Sequence, residues 1–296
     1  MGFQSLDDFV SSVTVDGKFN RYDWNKITGA AAYTAGRWYD LSGLAGNPPA
    51  NAWSGTALNA QAPNDTSGFG MYHGGNVSTE TKHILNVAAM SSAATGVPSI
   101  LMLVDLCLYY PGLNMNSATR QTLVNSTTLT RYTDGKGLRS WVTATATSGA
   151  TAHNLDNGAG TGTEYVDQDG NTAVHPGTIA FTASAIVPHI SHSGTAANNY
   201  GPFLPLAAGD YGVRSYNYFK LSAASASAST AALCIGKPLC TIPLTTTSVM
   251  TERDLMNQLP SLPQVQDGAC IVPLLYAGGA VAASTNFYGA VETGWS

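Results

Sequence analysis

The sequence predicts an all-β fold: a β-sandwich, most simply jelly-roll-like, with a few short helices and an irregular N-terminal arm. Three observations carry this. Short segments rich in Val, Ile, Thr, Tyr and Phe recur from His83 onward, several alternating with period two. Asp-Gly and Asn-Gly pairs punctuate them at Asp134–Gly135, Asn157–Gly158 and Asp169–Gly170, joined by the AAGD turn at Ala207–Asp210. Helical spacing is confined to a few short stretches. The expected division is an irregular arm over residues 1–61 and a sandwich body over 62–296.

Taken in order, Ser5–Val13 predicts a short helix, with Ser5 and Asp8 spaced as a capping box and Phe9, Val10 and Val13 as an apolar stripe. VDGK at Val15–Lys18 is a turn. Gly, Ala, Asn and Pro dominate from Gly29 to Gln61, which suits an arm lying over a partner or a surface loop. His83–Met90 predicts a strand. Ser99–Tyr110 is the strongest strand signal, ended by Pro111–Gly112. Its almost unbroken apolar character predicts burial on both faces, with Leu101, Leu103 and Leu106 in a central sheet. Asn116–Val124 suits one or two helical turns. Strands follow at Leu138–Thr147, Thr178–Val187, Val213–Ser222, Thr230–Ile235, Leu239–Thr245, Ala269–Tyr276 and Asn286–Trp295. Thr247–Leu259 predicts a helix, capped by Thr and Ser, striped by Val249, Leu255 and Leu259, and stopped by Pro260.

Only 10% of the 296 residues are charged, against about 25% in ordinary soluble domains. Hydrophobic residues make up 44%, and mean hydropathy is near zero. A surface poor in charge suits a protein largely covered by neighbours, since free monomers keep themselves soluble with charge. A net charge of −5 gives no basic footprint for nucleic acid. Arg131, Lys136 and Arg139 are the nearest approach to a basic cluster, around a turn. No apolar run is long enough to span a bilayer as a helix. The N-terminus lacks the pattern of a signal peptide; MGFQSL fits the loose myristoylation pattern but has no polybasic companion. Cys107, Cys234 and Cys270 lie in apolar runs, and with Cys240 they suit reduced structural thiols and a reducing cytoplasm.

Motifs for chemistry are sparse. His189 and His192 stand three apart, which on a strand puts them on opposite sides; a loop geometry would leave a metal site or a ring about a symmetry axis open. Asp167, Asp169 and Asn171 match the first, third and fifth ligands of a calcium loop, but Gly170 sits at the fourth position and Thr178 where the twelfth-position Glu belongs. A calcium site and a plain Asp-Gly turn are both open there. No G-x-S-x-G is present, the nearest being Gly149–His153. Glu164 with Asp167 is the nearest approach to a paired-carboxylate site. Tyr211, Tyr216, Tyr218 and Phe219 with Trp38, Tyr39 and Trp53 are candidates for a carbohydrate platform. No catalytic residue, cofactor or metal is assigned.

Several segments together carry a family resemblance. They are LDDFVSSVTVDGKFNRYDWNKITGAA, AGRWYDLSGLAGNPPANAW, YHGGNVSTETKHILNVAAMS, VPSILMLVDLCLYYPGLNM, PLTTTSVMTERDLMNQLPSLPQVQDGAC and YGAVETGWS. The set, spanning Leu6 to Trp295, resembles virion structural proteins of tailed bacteriophages. The resemblance implies a particle component with no turnover, assembled in the host cytoplasm and located in the virion. The leading expectation is a capsid cement, decoration or minor capsid protein. It would contact the major capsid protein and copies of itself as a homotrimer, with no nucleic-acid or membrane partner. Trp24, Trp38 and Trp53 are the expected interface anchors. The alternatives are a tail or adsorption protein binding a host glycan, and a hydrolase with a dispersed site.

Overall fold

The computed structural model describes residues 3–193, 201–256 and 262–296. The chain begins with helix α1 (Leu6–Val10), capped by Ser5, whose hydroxyl accepts from the Asp8 amide at 3.0 Å. One π-helical turn follows over Ser11–Val15. The strands of the first half are β1 (Phe19–Ile27), β2 (Arg37–Asp40), β3 (Gly46–Asn47), β4 (Lys82–Ser91), β5 (Ser99–Asn114), β6 (Gln121–Thr122) and β7 (Arg139–Ala144). Those of the second half are β8 (His153–Asn154), β9 (Glu164–Asp167), β10 (Thr172–Ala173), β11 (Ala180–Phe181), β12 (Val213–Phe219), β13 (Thr230–Leu244), β14 (Thr251–Asp254), β15 (Gln264–Val265), β16 (Ile271–Ala277) and β17 (Asn286–Trp295).

The pairing is that of a jelly roll. One sheet runs β14-β4-β17-β1-β3 and the other β2-β16-β5-β13-β7, and every ladder in them is antiparallel. Of the eight principal strands, β1, β4, β14 and β17 lie in the first sheet, and β2, β5, β13 and β16 in the second. Successive principal strands change sheets, except that β5 and β13 are neighbours. This is the double Greek-key wrap of a jelly roll. Residues 115–229, between β5 and β13, form an insertion. It contributes β7 to the second sheet and folds a small sheet of its own, β10-β9-β12-β6, beside the β11-β8 pair.

The core follows from side-chain alternation. Trp24, Val87, Val291 and Phe287 of the first sheet meet Leu101, Leu103, Ile242, Ile271 and Leu275 of the second in the sandwich interior. Val104, Leu106, Val272 and Leu274 point the other way, into a cluster with Trp38 and Trp141. Further along β5 and β13, Leu108, Tyr110, Leu113 and Leu233 pack on the insertion's Tyr165, Phe181 and Phe219. The second sheet is therefore covered on both faces, as the apolar run at Ser99–Tyr110 predicts.

Several expected boundaries move. β5 continues past Pro111–Gly112 to Asn114, because a register shift between Ala231 and Leu233 lets the ladder pass those two residues. The strands expected at Thr230–Ile235 and Leu239–Thr245 are one strand, since Pro238 sits beside another register shift. Thr178–Val187 holds only the short β11, and Asn116–Val124 holds β6 in place of helical turns. The helix expected over Thr247–Leu259 is strand β14 at Thr251–Asp254, paired with β4; its last three residues lie outside the described ones.

The expected arm is also corrected. β1 pairs along its whole length with β17, from Phe19–Gly294 to Ile27–Asn286, and β2 pairs with β16. Residues 19–44 thus belong to the sandwich, with Tyr33, Tyr39, Leu41 and Leu44 in its interior.

Candidate functional site

The three tryptophans expected at an interface are packed within the fold. Trp24 is buried in the sandwich interior, Trp38 packs on Tyr276 at 5.5 Å, and Trp53 sits edge-on to Tyr109 at 5.4 Å. Trp24 and Trp38 are core, so they are no anchors for a partner. The proposed carbohydrate platform does not form either. Tyr39 stacks on Tyr33 inside the sandwich at 3.9 Å, and Tyr216 and Phe219 are fully buried. Tyr218 is covered by the Arg120 guanidinium, 3.5 Å from its ring centroid. Tyr211 stands exposed, apart from the others.

The Asp167 turn is internally satisfied. One Asp167 carboxylate oxygen accepts the Asp169 and Asn171 amides, both at 2.8 Å, and the other accepts Asn171 Nδ2 at 3.3 Å. Burial pushes this carboxyl up, but those donors outweigh it and hold it below the usual carboxylate range. Asp169 accepts from Gln168 at 2.8 Å. The calcium candidate made of Asp167, Asp169 and Asn171 is therefore a closed hairpin turn linking β9 to β10, its acceptors filled by N–H groups. Among the described residues no cluster of three or more metal-ligating side chains occurs.

The titratable groups that could perform chemistry are used inside the fold. His175 Nε2 meets the Tyr216 hydroxyl at 2.9 Å, that hydroxyl meets Ser140 at 2.6 Å, and His175 Nδ1 donates to the Pro205 carbonyl. All three side chains are buried. Glu164 pairs with Arg120 at 2.8 Å, and Asp167 closes its turn, so the carboxylate pair is not made. His189 lies beside the Tyr39 ring, and His192 reaches the Pro202 carbonyl at 3.1 Å. The four thiols are free; burial pushes that of Cys270 well up, and Cys107 and Cys234 likewise.

Three cations, Lys26, Lys82 and Arg131, are buried among the described residues, and two of them brace the sandwich. Arg131 forms a fork on Asp105 of β5, at 3.0 and 2.8 Å, and also donates to the carbonyls of Leu106 and Pro63. It fastens the insertion to the sandwich and is no part of a basic patch. Lys26 of β1 points inward and donates to the carbonyls of Leu44, Pro48 and Pro49. Burial draws its pKa down to about 8.

One large surface has no such internal use. The first sheet buries its inner face and presents the other. There the register sets out three rows: Arg21–Glu292–Asn86–Asp254, Asp23–Ala290–Ala88–Glu252, and Asn25–Tyr288–Met90. The face carries four carboxylates and one guanidinium, the latter tied to Asp23 and Glu292 at 3.0 and 2.9 Å. Three of the chain's five net negative charges stand here. At its edge α1 lies over a groove of about 450 Å³, with Leu6, Phe9 and Phe19 on one side and Glu252, Asp254 and Glu292 on the other. Leu6 and Val15 are 71% and 77% exposed. The exposed apolar edge is suited to contact another protein, and the acidic face beside it offers charge complementarity to a basic partner surface. The signal for it in the sequence is the alternation of β17 and β4, whose outward residues are small or polar apart from Tyr288 and Met90.

No protein-family model and no curated protein matches this chain. Among solved structures, the subviral particle of infectious bursal disease virus VP2 aligns over 97% of this chain and 86% of its own. The identity is 8% and the TM-score 0.15, a level at which no correspondence of fold or role follows.

Proposed function

We propose that this chain is a structural component of a bacteriophage particle, a capsid cement, decoration or minor capsid protein, that stabilises a shell through subunit contacts. The observation that carries this is the first sheet's outer face, an acidic jelly-roll surface edged by exposed Leu6 and Val15, on a chain whose histidines, thiols and most tyrosines are consumed by packing. The resemblance of its segments to tailed-phage structural proteins points the same way, and so does the low charge. The partners are the major capsid protein and further copies of this chain, as a trimer. Contact is made by the folded body, because residues 19–44 belong to the sandwich and do not form a separate arm. Binding of this kind adds stability by mass action for as long as the contact lasts.

Labelling purified particles with an antibody against this chain tests the proposal. Label on the head supports it; label on the tail alone, or nowhere on the particle, overturns it. Native mass spectrometry at micromolar concentration tests the trimer, and a monomer that also fails to bind particles counts against assembly altogether.

A further inference from the structure

We propose that a cleft in the insertion, beside Arg214, binds an acidic saccharide: a hydroxylated ring bearing a carboxylate. The site is distinct from the sheet face above and independent of it.

The position of Arg214 is built by the backbone. β12 pairs with β9 through Val213–Asp167 and then Ser215–Val166, so Arg214 is the extra residue of a β-bulge. Bulges re-aim a side chain out of the regular alternation. Two glycine turns then frame the side chain. A Cβ at Gly135 would stand 2.5 Å from Arg214 Cγ, and a Cβ at Gly170 would stand 3.4 Å from its Nη1. Both glycines have positive φ, 72° and 88°, which a bare backbone adopts freely. A side chain at Gly135 would collide with the Arg214 stem, and Gly170 stands in contact range of its guanidinium, so the two Asp-Gly turns flank this side chain.

That guanidinium is uncommitted. Among the described residues it has no hydrogen-bond partner and no carboxylate within 4.0 Å. Its acidic neighbours are bonded elsewhere: Asp134 to Lys136 at 3.3 Å, and Asp169 to Gln168 at 2.8 Å. It lines a cleft of about 420 Å³ in which it is the one ionisable side chain. Thr127, Thr128, Thr133 and Ser215 line the same cleft, and among the described residues their hydroxyls have no partner. Leu129 and Val166 supply apolar wall. A planar fork for a carboxylate, hydroxyls for hydroxyls and an apolar wall for a C–H face are the complement of a uronic-acid-type sugar.

Calorimetric titration of the full chain with methyl glucuronide, methyl glucoside and inorganic phosphate tests this. The expected result is millimolar or tighter binding of the glucuronide, with the glucoside weaker by about tenfold or more, the loss expected when a charge-assisted hydrogen bond is removed. Arg214→Gln, at an exposed position, should weaken glucuronide binding by a similar factor while leaving the melting temperature unchanged. Thr128→Val should weaken the glucuronide and leave phosphate unaffected. Equal binding of glucoside and glucuronide overturns the proposal, as does full binding by Arg214→Gln or no glucuronide binding at all. Phosphate binding as tight as the glucuronide overturns the saccharide assignment, since the site would then recognise charge alone.

Discussion

Single residues decide more of this fold than its low charge suggests. Asp105 and Arg131 are both buried, and their fork ties the insertion to the middle of β5. Arg131→Ala leaves the Asp105 carboxylate without its cation in a dry interior, at a cost of about 3–5 kcal/mol. Urea denaturation should show that loss. The paired replacement Asp105→Leu with Arg131→Leu should recover much of it, because no charge is left unpaired. The histidines give a second prediction. Burial lowers the pKa of His175 to about 4 and those of His189 and His192 to about 3. In the unfolded chain these rings protonate below about pH 6.5. Between those values the unfolded state binds more protons, so stability falls as the pH falls through the window. Each ring contributes about 2 kcal/mol of that loss by pH 5. Denaturation midpoints measured between pH 7 and pH 4 should drop steadily, and His189→Gln should flatten the slope; a flat profile in the parent chain would show the rings are accessible.

At the scale of the element, β5 is the test case. Leu103 is 1% exposed and faces the sandwich interior. Leu103→Ala should cost about 2–5 kcal/mol, read as a fall in the denaturation midpoint; an unchanged midpoint would mean the strand is not core. β5 and β17 were legible because their pattern is dictated by burial alone. β1 was not, and the reason is Lys26. Tyr22, Trp24 and Lys26 alternate inward, but a lysine in the third inward position disguises the period. Its aliphatic stem fills the slot while three carbonyls take the ammonium. The expected helix over Thr247–Leu259 failed differently. Its apolar residues permit a helical stripe, yet Val249 is 53% exposed and Leu255 fully buried. What decides is the free edge of β4, whose unpaired main chain β14 satisfies; pairing across that distance in sequence leaves no local trace. The Arg214 cleft was equally hidden, although both of its Asp-Gly turns stood out in the sequence. A bulge depends on the register of two strands, which neither strand records by itself.

For the whole molecule, the outer face of the first sheet is the proposed contact surface. Glu252 and Asp254 are exposed there, close to the groove under α1. The double substitution Glu252→Lys and Asp254→Lys moves the local charge by four units and presents lysines where a complementary partner expects carboxylates. Binding to particles that lack the protein, followed by co-sedimentation, should fall by about tenfold or more, in the range of rim and buried charge effects at interfaces. The melting temperature should hold, as surface changes usually stay within about 0.5 kcal/mol. If the reversed variant sediments with particles as well as the parent does, the contact lies elsewhere on the surface.

The insertion also has mechanical standing. A lobe placed between two strands commonly hangs on a pair of flexible linkers and swings. Here the two connections are β5 and β13 themselves, paired from Ser99–Leu244 at one end to Asn114–Thr230 at the other. The lobe therefore has no neck. A load applied to it passes into the sandwich as shear along a continuous ribbon, where many hydrogen bonds resist together instead of unzipping in turn. A lobe mounted in this way passes a pull directly to its anchor as tension, with no hinge to bend.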